Sequence, residues 1–155
     1  MTVGVISDTH GLLRSEAVEA LRGSDVIVHA GDVGDRRILE RLSELAPVRA
    51  VRGNTDRGSW AARLPGTDVV SAGPAHLFVL HDIDTLDLDP GAAGMDAVIF
   101  GHSHRPEIRR SDGVLYFNPG AAGHRRFELP VTVGRLTVSE AGALEAEIVE
   151  LAGAA

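Results

Sequence analysis

The chain has 155 residues, with 15 basic and 22 acidic side chains, a formal net charge of −7 and no cysteine. This length is typical of one domain, and we expect residues 1–155 to form it. The acidic balance argues against nonspecific nucleic-acid binding, and the lack of cysteine excludes disulfides, thiolate metal sites and cysteine nucleophiles. Neither a basic leader nor a membrane-spanning apolar run is present, so we expect a cytoplasmic protein that does not bind membranes.

The first half of the chain alternates β-branched runs with amphipathic segments. Strands are predicted at residues 3–7, 26–29 and 48–51. Between them, Ser15 and Asp35 are predicted to cap two short helices. This order is typical of βαβ units with a parallel sheet and right-handed crossovers.

The second half is richer in strands and tight turns. Hairpin turns are predicted at Gly73-Pro74, Asp112-Gly113 and Ala141-Gly142. The predicted strands are residues 69–71, 75–80, 97–100, 108–110, 114–117, 131–138 and 144–149. We therefore expect an α/β fold in which two mixed β-sheets pack together and are flanked by helices.

Five polar clusters directly follow predicted strands. They are Asp8-Thr9-His10, Gly31-Asp32, Gly53-Asn54-Thr55-Asp56, His81-Asp82 and Gly101-His102-Ser103-His104. Ligands bind beyond the carboxyl ends of strands, so we expect the clusters to meet. We also expect D-x-H and H-x-H to place alternate side chains on one side of an extended segment. This oxygen and nitrogen set suits divalent Mn, Fe, Zn, Ni or Co, and is large enough for two ions about 3.5–4 Å apart.

The ordered set D-x-H, G-D, G-N-x-D, H and G-H-S-H resembles the calcineurin-like metallophosphoesterase superfamily. It is most similar to the small single-domain branch, which contains bacterial phosphodiesterases and a eukaryotic retromer subunit that serves as a scaffold. Leu64-Pro65 and the turn Asn118-Pro119-Gly120 extend the resemblance over nearly the whole chain. The resemblance implies a four-layer αββα sandwich.

The resemblance also implies two metal sites, whose ligands are the expected catalytic residues. The first site would use Asp8, His10, Asp32 and His104, and the second Asp32, Asn54, His81 and His102, with Asp32 bridging. The implied activity is hydrolysis of a small phosphate ester, with a diester favoured over a monoester, by a metal-bound hydroxide that attacks phosphorus. Two divalent ions would be the cofactors, with Mn favoured and Ni, Fe, Zn or Co as alternatives. A homodimer or homotetramer is compatible with the family.

Three positions depart from the family pattern. Thr55 stands where many members have a histidine that assists the leaving group, which favours diester substrates. Asp82 stands where the branch commonly has glycine, and its carboxylate would alter the loop or repel the substrate phosphate. Ala121 replaces the commoner serine after the Asn-Pro-Gly turn.

For several other polar residues, the sequence is compatible with either a structural or a functional role. His29 is predicted to be a hydrogen-bonded core histidine or to support Asp32 from behind. Asp56 would orient Asn54 or a ligand histidine, or form an Asx-turn. His124 is predicted to be a surface residue rather than a functional one. Four arginines could bind phosphate oxygens but are predicted to be solvated surface residues: Arg57, Arg105, Arg125 and Arg126.

Two functions other than hydrolysis are compatible with this fold. The first is a protein-interaction scaffold with weak or no catalysis, for which an exposed apolar patch and no bound metal would be evidence. The complete set of seven ligand residues favours an enzyme instead. The second is a nucleotide-binding regulator, but no G-x-x-x-x-G-K-[ST] or G-x-G-x-x-G motif is present.

Overall fold

The computed structural model describes residues 1–152, in which ten strands form two five-stranded sheets. Most strands coincide with runs rich in β-branched and other apolar residues bounded by turn-forming residues, whereas the edge strand after Pro106 is mostly polar and exposed throughout. In chain order the strands are β1 (Thr2–Ile6), β2 (Val26–His29), β3 (Val48–Ala50), β4 (Thr67–Ala72), β5 (Ala75–Leu80), β6 (Ala97–Ile99), β7 (Glu107–Ser111), β8 (Val114–Asn118), β9 (Thr132–Val138) and β10 (Leu144–Glu150).

Both sheets are mixed, as predicted. The first has the order β10-β9-β1-β2-β3, with β1, β2 and β3 parallel and β9 antiparallel to β1 and β10. The second has the order β4-β5-β6-β8-β7, in which β5, β6 and β8 are parallel. The three predicted hairpins are confirmed as the antiparallel pairs β4–β5, β7–β8 and β9–β10.

The main core lies between the two sheets. Strand alternation decides which side chains enter it: Val26 and Val28 of β2 belong to this core, whereas Ile27 between them packs beneath the helices. From the second sheet, Leu77 and Phe117 are fully buried in the same core. This packing holds the two sheets face to face and brings their strand ends together at one edge.

Helices cover the outer face of the first sheet. They are α1 (Ser15–Leu21), α2 (Arg36–Ser43) and α3 (Ser59–Ala62). Asp35 caps α2 as predicted, since its side chain accepts a hydrogen bond from the Arg37 amide. The predicted cap at Ser15 is wrong, because Ser15 is already the first helical residue and its hydroxyl faces the Glu16 carboxylate, 3.4 Å away.

The outer face of the second sheet is covered by residues 83–95. This segment forms a short 3-10 helix (Ile83–Thr85) and turns, and its Leu86, Leu88 and Met95 pack on Phe78 and Val98. Its many Asp, Gly and Pro residues favour turns over a longer helix. The fourth layer is therefore built mainly from turns. Within residues 1–152, no helix has the length and apolar composition needed to span a bilayer.

Candidate metal centre

The seven predicted ligand residues meet at one edge of the molecule, in loops that follow β1, β2, β3, β5 and β6. Backbone hydrogen bonds join these loops directly. The Asp8 amide donates to Gly31 O at 3.0 Å, the His10 amide to Asp32 O at 2.9 Å, and the Gly101 amide to His81 O at 3.0 Å. The loops at the carboxyl ends of the parallel strands of both sheets thus place their polar residues at one shared site.

Left-handed backbone conformations, not extended segments, aim the side chains. Among described residues, seven non-glycine positions have positive φ, and five of them are predicted ligands: Asp8, His10, Asp32, His102 and His104. The expected extended geometry for D-x-H and H-x-H is therefore wrong. Each such conformation costs on the order of 1–3 kcal/mol and persists because the surrounding loops enforce it.

One group of ligand atoms is formed by Asp8, His10 and His104. The Nε2 atoms of His10 and His104 lie 3.6 and 3.3 Å from Asp8 Oδ1, and 3.3 Å from each other. Asp8 Oδ2 accepts hydrogen bonds from the Ser7 hydroxyl at 2.6 Å and the His102 amide at 3.0 Å. Asp8 Oδ1 is buried without a hydrogen-bond partner, so it is free for a ligand.

A second group is formed by Asp32, His81 and His102. His81 Nδ1 lies 2.8 Å from the Ala30 carbonyl, which can only accept, so Nδ1 carries the proton and Nε2 keeps its lone pair in the neutral ring. That Nε2 is buried without a hydrogen-bond partner and lies 3.2 Å from Asp32 Oδ2. Asn54 joins the group at its exposed rim, where its Oδ1 lies 3.2 Å from His102 Nδ1.

Asp32 lies between the two groups. Its Oδ1 accepts a hydrogen bond from the Thr55 amide at 2.9 Å. Its Oδ2 lies 3.6 Å from His10 Nε2 and 3.2 Å from His81 Nε2. One carboxylate oxygen therefore faces both groups, which is the position that a bridging ligand needs.

The carboxylates of the site are held in their ionised form. Burial opposes ionisation of Asp8, but His10, His104 and the Ser7 hydroxyl outweigh it and hold the pKa of Asp8 well below its usual range. Burial also opposes ionisation of Asp32, yet His81 and the Thr55 amide lower the pKa of Asp32 to about 2. The carboxylates of Asp8 and Asp32 are therefore both negatively charged at neutral pH.

The histidines facing these carboxylates respond in the opposite sense. The neighbouring Asp8 carboxylate raises the pKa of His10 above its ordinary value. Burial lowers the pKa of His81, but the Asp32 carboxylate outweighs burial and the pKa is raised. Ionised carboxylates, imidazole nitrogens and an amide oxygen form a set that fits divalent transition ions. Three nitrogen or oxygen atoms of these side chains are buried without a hydrogen-bond partner: Asp8 Oδ1, His81 Nε2 and His104 Nδ1.

Two supporting residues were not singled out for this role from the sequence. Ser7 orients Asp8 through its hydroxyl. Asn118, fully buried at the end of β8, donates from Nδ2 to Gly101 O at 3.1 Å and to the Ser103 hydroxyl at 3.2 Å. Asn118 thereby holds the loop that carries His102 and His104. The only signal in the sequence was the Asn-Pro-Gly turn.

His29 and Asp56 are assigned to loop support. The Gly31 amide donates to His29 Nδ1 at 3.1 Å, so Nε2 carries the proton that faces the Thr9 hydroxyl at 3.0 Å. Burial lowers the pKa of His29 to about 4, which keeps the ring neutral. Asp56 accepts from three backbone amides, those of Val33, Gly34 and Gly53. It therefore ties two loops together rather than orienting Asn54 or a histidine side chain.

Asp82 shapes the loop after β5. Its Oδ1 accepts a hydrogen bond from the Asp84 amide at 3.0 Å and starts the 3-10 helix. Its Oδ2 lies 3.8 Å from His102 Nε2, at the partly exposed rim of the second group. The Asp82 carboxylate thus faces the outer nitrogen of a predicted ligand.

A cleft of about 470 Å³ adjoins the first group. It is lined by His10, His104, His124, Arg125, Arg126 and Phe127. His124 is exposed, in agreement with the prediction, but it belongs to the wall of this cleft. Arg125 and Arg126, predicted to be ordinary surface residues, also line it.

Comparison with known proteins agrees with the geometry. The family model of the calcineurin-like phosphoesterase superfamily domain matches residues 1–141. A probable metallophosphoesterase of Methanocaldococcus jannaschii is 34% identical over 164 residues, covering 97% of this chain and 82% of that protein. The phosphodiesterase YfcE of Escherichia coli K12 is 28% identical over 160 residues, covering 84% of each chain.

The fold is also similar to that of solved structures. The Zn²⁺ complex of Vps29 from Entamoeba histolytica superposes with a TM-score of 0.77 at 21% identity, covering 97% of this chain and 99% of that one. The resemblance inferred from the ordered motifs is thereby confirmed at the level of sequence family and of fold. The chain belongs to the calcineurin-like phosphoesterase superfamily.

Proposed function

We propose that this protein is a phosphodiesterase that uses two divalent metal ions. The observation that carries the proposal is the position of Asp32 Oδ2 between two groups of ligand atoms, 3.6 Å from His10 and 3.2 Å from His81. The ligands would be Asp8, His10, Asp32 and His104 for one ion, and Asp32, Asn54, His81 and His102 for the other. We further propose that residues 1–155 act as one domain in the cytoplasm on small phosphate esters.

The reaction would be hydrolysis of a P–O ester bond by water, which yields a phosphate monoester and an alcohol. When bound, the two ions lower the pKa of a coordinated water and offset negative charge on the phosphate oxygens. The ionised carboxylates of Asp8 and Asp32 hold the positive charge in place. The Ala30 carbonyl fixes the ring of His81, and Asn118 fixes the loop of His102, so these ligands need little rearrangement during the reaction.

The preference for diesters follows from the residues around the second group. Thr55 stands at the position of the leaving-group histidine, and a threonine hydroxyl is a poor general acid at neutral pH. A diester carries less negative charge than a monoester, so it needs less neutralisation. A relative named as a phosphodiesterase supports this preference. Mn²⁺ is the proposed ion because it accepts carboxylate, amide and imidazole ligands together.

The proposed activity is tested with protein stripped of metal by a chelator. Bis(p-nitrophenyl) phosphate is the substrate, and turnover is measured with and without added Mn²⁺. We expect no turnover without metal and clear turnover with Mn²⁺, which a chelator reverses. Folded protein that shows no turnover with Mn, Ni, Co or Zn would contradict the proposal and favour the scaffold reading.

Metal binding should release protons and weaken as the pH falls. The metal-free protein has raised pKa values at His10 and His81, so these rings keep a proton at higher pH than ordinary histidines do. A metal ion needs the neutral ring, and protons therefore compete with it. We expect Mn²⁺ affinity to fall steadily from about pH 8 to about pH 6. Calorimetry in buffers of different ionisation enthalpy measures the released protons, and a pH-independent affinity would contradict this prediction.

A further inference from the structure

The loop of residues 124–128 lies beside the first group of ligand atoms, and the segments before and after it are held by backbone contacts. Before it, the Ala122 amide donates to Ser7 O at 3.0 Å, and Arg14 Nε donates to Gly123 O at 3.0 Å. After it, residue 131 forms a bridge with Ala121. The loop is therefore anchored to the segment that carries Asp8 and His10.

Phe127 at the tip of this loop has an unusual environment. The residue is 89% exposed, the largest exposure among the large apolar residues of the described chain. Its φ is 54°, a left-handed conformation that is an outlier for a bulky residue. Neither core packing nor turn chemistry explains an aromatic side chain here, because glycine or asparagine would suit the turn better.

The cleft beneath Phe127 has the properties of a ligand site. Its volume of about 470 Å³ is within the range of small-molecule pockets, roughly 300–1,000 Å³. Its lining combines an aromatic side chain and two arginines with the predicted ligands His10 and His104. Arg126 lines this cleft together with the two predicted ligands, so its guanidinium charge lies beside them. In a chain of net charge −7, this local positive charge next to the proposed phosphate site is distinctive.

We propose that residues 124–128 recognise the ester group of the substrate, an inference that rests on the proposed phosphodiesterase function. Arg126 would donate to a phosphate oxygen, since a guanidinium matches the geometry of phosphate. Phe127 would stack on a flat ring of the ester group. The substrate class is therefore a phosphodiester that carries a planar aromatic ring, either a nucleobase or an aryl group.

The test measures inhibition constants of three phosphate monoesters against Mn²⁺-dependent hydrolysis of bis(p-nitrophenyl) phosphate. Adenosine 5′-monophosphate and phenyl phosphate carry the two kinds of ring, and ribose 5-phosphate carries none. Phe127→Ala should raise the inhibition constant of at least one ring-bearing compound about 5-fold or more and leave that of ribose 5-phosphate unchanged. Arg126→Gln should raise all three constants. Val69→Ala, which changes another exposed apolar residue, is the control.

Each outcome has a distinct meaning. A greater effect on the nucleotide identifies a nucleobase as the ring, and a greater effect on phenyl phosphate identifies an aryl group. Hydrolysis with inhibition constants unaffected by Phe127→Ala overturns the inference and leaves the phosphodiesterase intact. The same holds if Phe127→Ala changes only the oligomeric state in sedimentation, since Phe127 would then contact a second copy. No hydrolysis by the wild-type protein contradicts the proposed function, and calorimetry with the three compounds and Mn²⁺-loaded protein then tests ring recognition separately.

Discussion

Asp32→Asn is expected to abolish metal-dependent hydrolysis, lowering kcat/KM on the order of a thousandfold. The amide keeps the shape of the side chain and can still accept the hydrogen bond from the Thr55 amide, so the loop should persist. It removes the negative charge whose Oδ2 lies between the two groups of ligand atoms. Steady-state kinetics and calorimetric titration with Mn²⁺ measure the losses of activity and of bound metal.

Asp35→Asn is the matched control for this substitution. Asp35 caps α2 and lies outside the site, so hydrolysis should match that of the wild type. His81→Ala and His104→Ala should resemble Asp32→Asn, because each removes a ring from one of the two groups. Circular dichroism establishes that every variant is folded. A fully active Asp32→Asn protein would refute the bridging role.

Gly53→Ala is expected to disrupt the site without touching a ligand. A Cβ at residue 53 would lie 2.1 Å from Asp32 Oδ1 and 2.2 Å from the Asp32 amide nitrogen. The second atom belongs to the backbone, so no rotamer change can relieve the overlap, and the loops must separate. We expect a loss of about 1–3 kcal/mol in the free energy of unfolding. Displacement of Asp32 should also lower activity at least about 100-fold.

Gly66→Ala separates local crowding from the general effect of replacing glycine. The nearest atom to a Cβ there is Arg52 Nη2 at 3.9 Å, which is ordinary contact, and neither glycine has a positive φ. Denaturant unfolding and kinetics are measured for both variants. We expect Gly66→Ala to keep activity and most of its stability. Equal effects of the two substitutions, or an active Gly53→Ala protein, would contradict the proposed crowding.

The sequence predicted the strands well because alternating apolar residues and turn residues are local signals. Strand β5 matches its predicted range, and all three hairpins were correct. The helix caps were less predictable, since Ser15 and Asp35 look alike in sequence and only Asp35 acts as a cap. The fourth layer also depended on tertiary packing, because its turns are held against the second sheet by Leu86, Leu88 and Met95.

The seven candidate ligands were identified from the sequence because five polar clusters, each after a strand, occur in the order typical of one family. The spacing of these residues along the chain did not predict the contacts that bring them together. His10 and His104 are 94 residues apart, yet their Nε2 atoms lie 3.3 Å apart. That approach depends on left-handed backbone at both residues and on hydrogen bonds between loops.

Residue type and order in the sequence were enough to predict the two-sheet fold, the family and the seven candidate ligands. These features could be predicted because local chemistry constrains which residues form strands, turns and ligand motifs. The support roles of Asn118 and Asp56, and the cleft beneath Phe127, became apparent only from the folded structure. Such contacts join residues that are distant in the chain, and they depend on how two packed sheets position their loops. No local pattern encodes that arrangement.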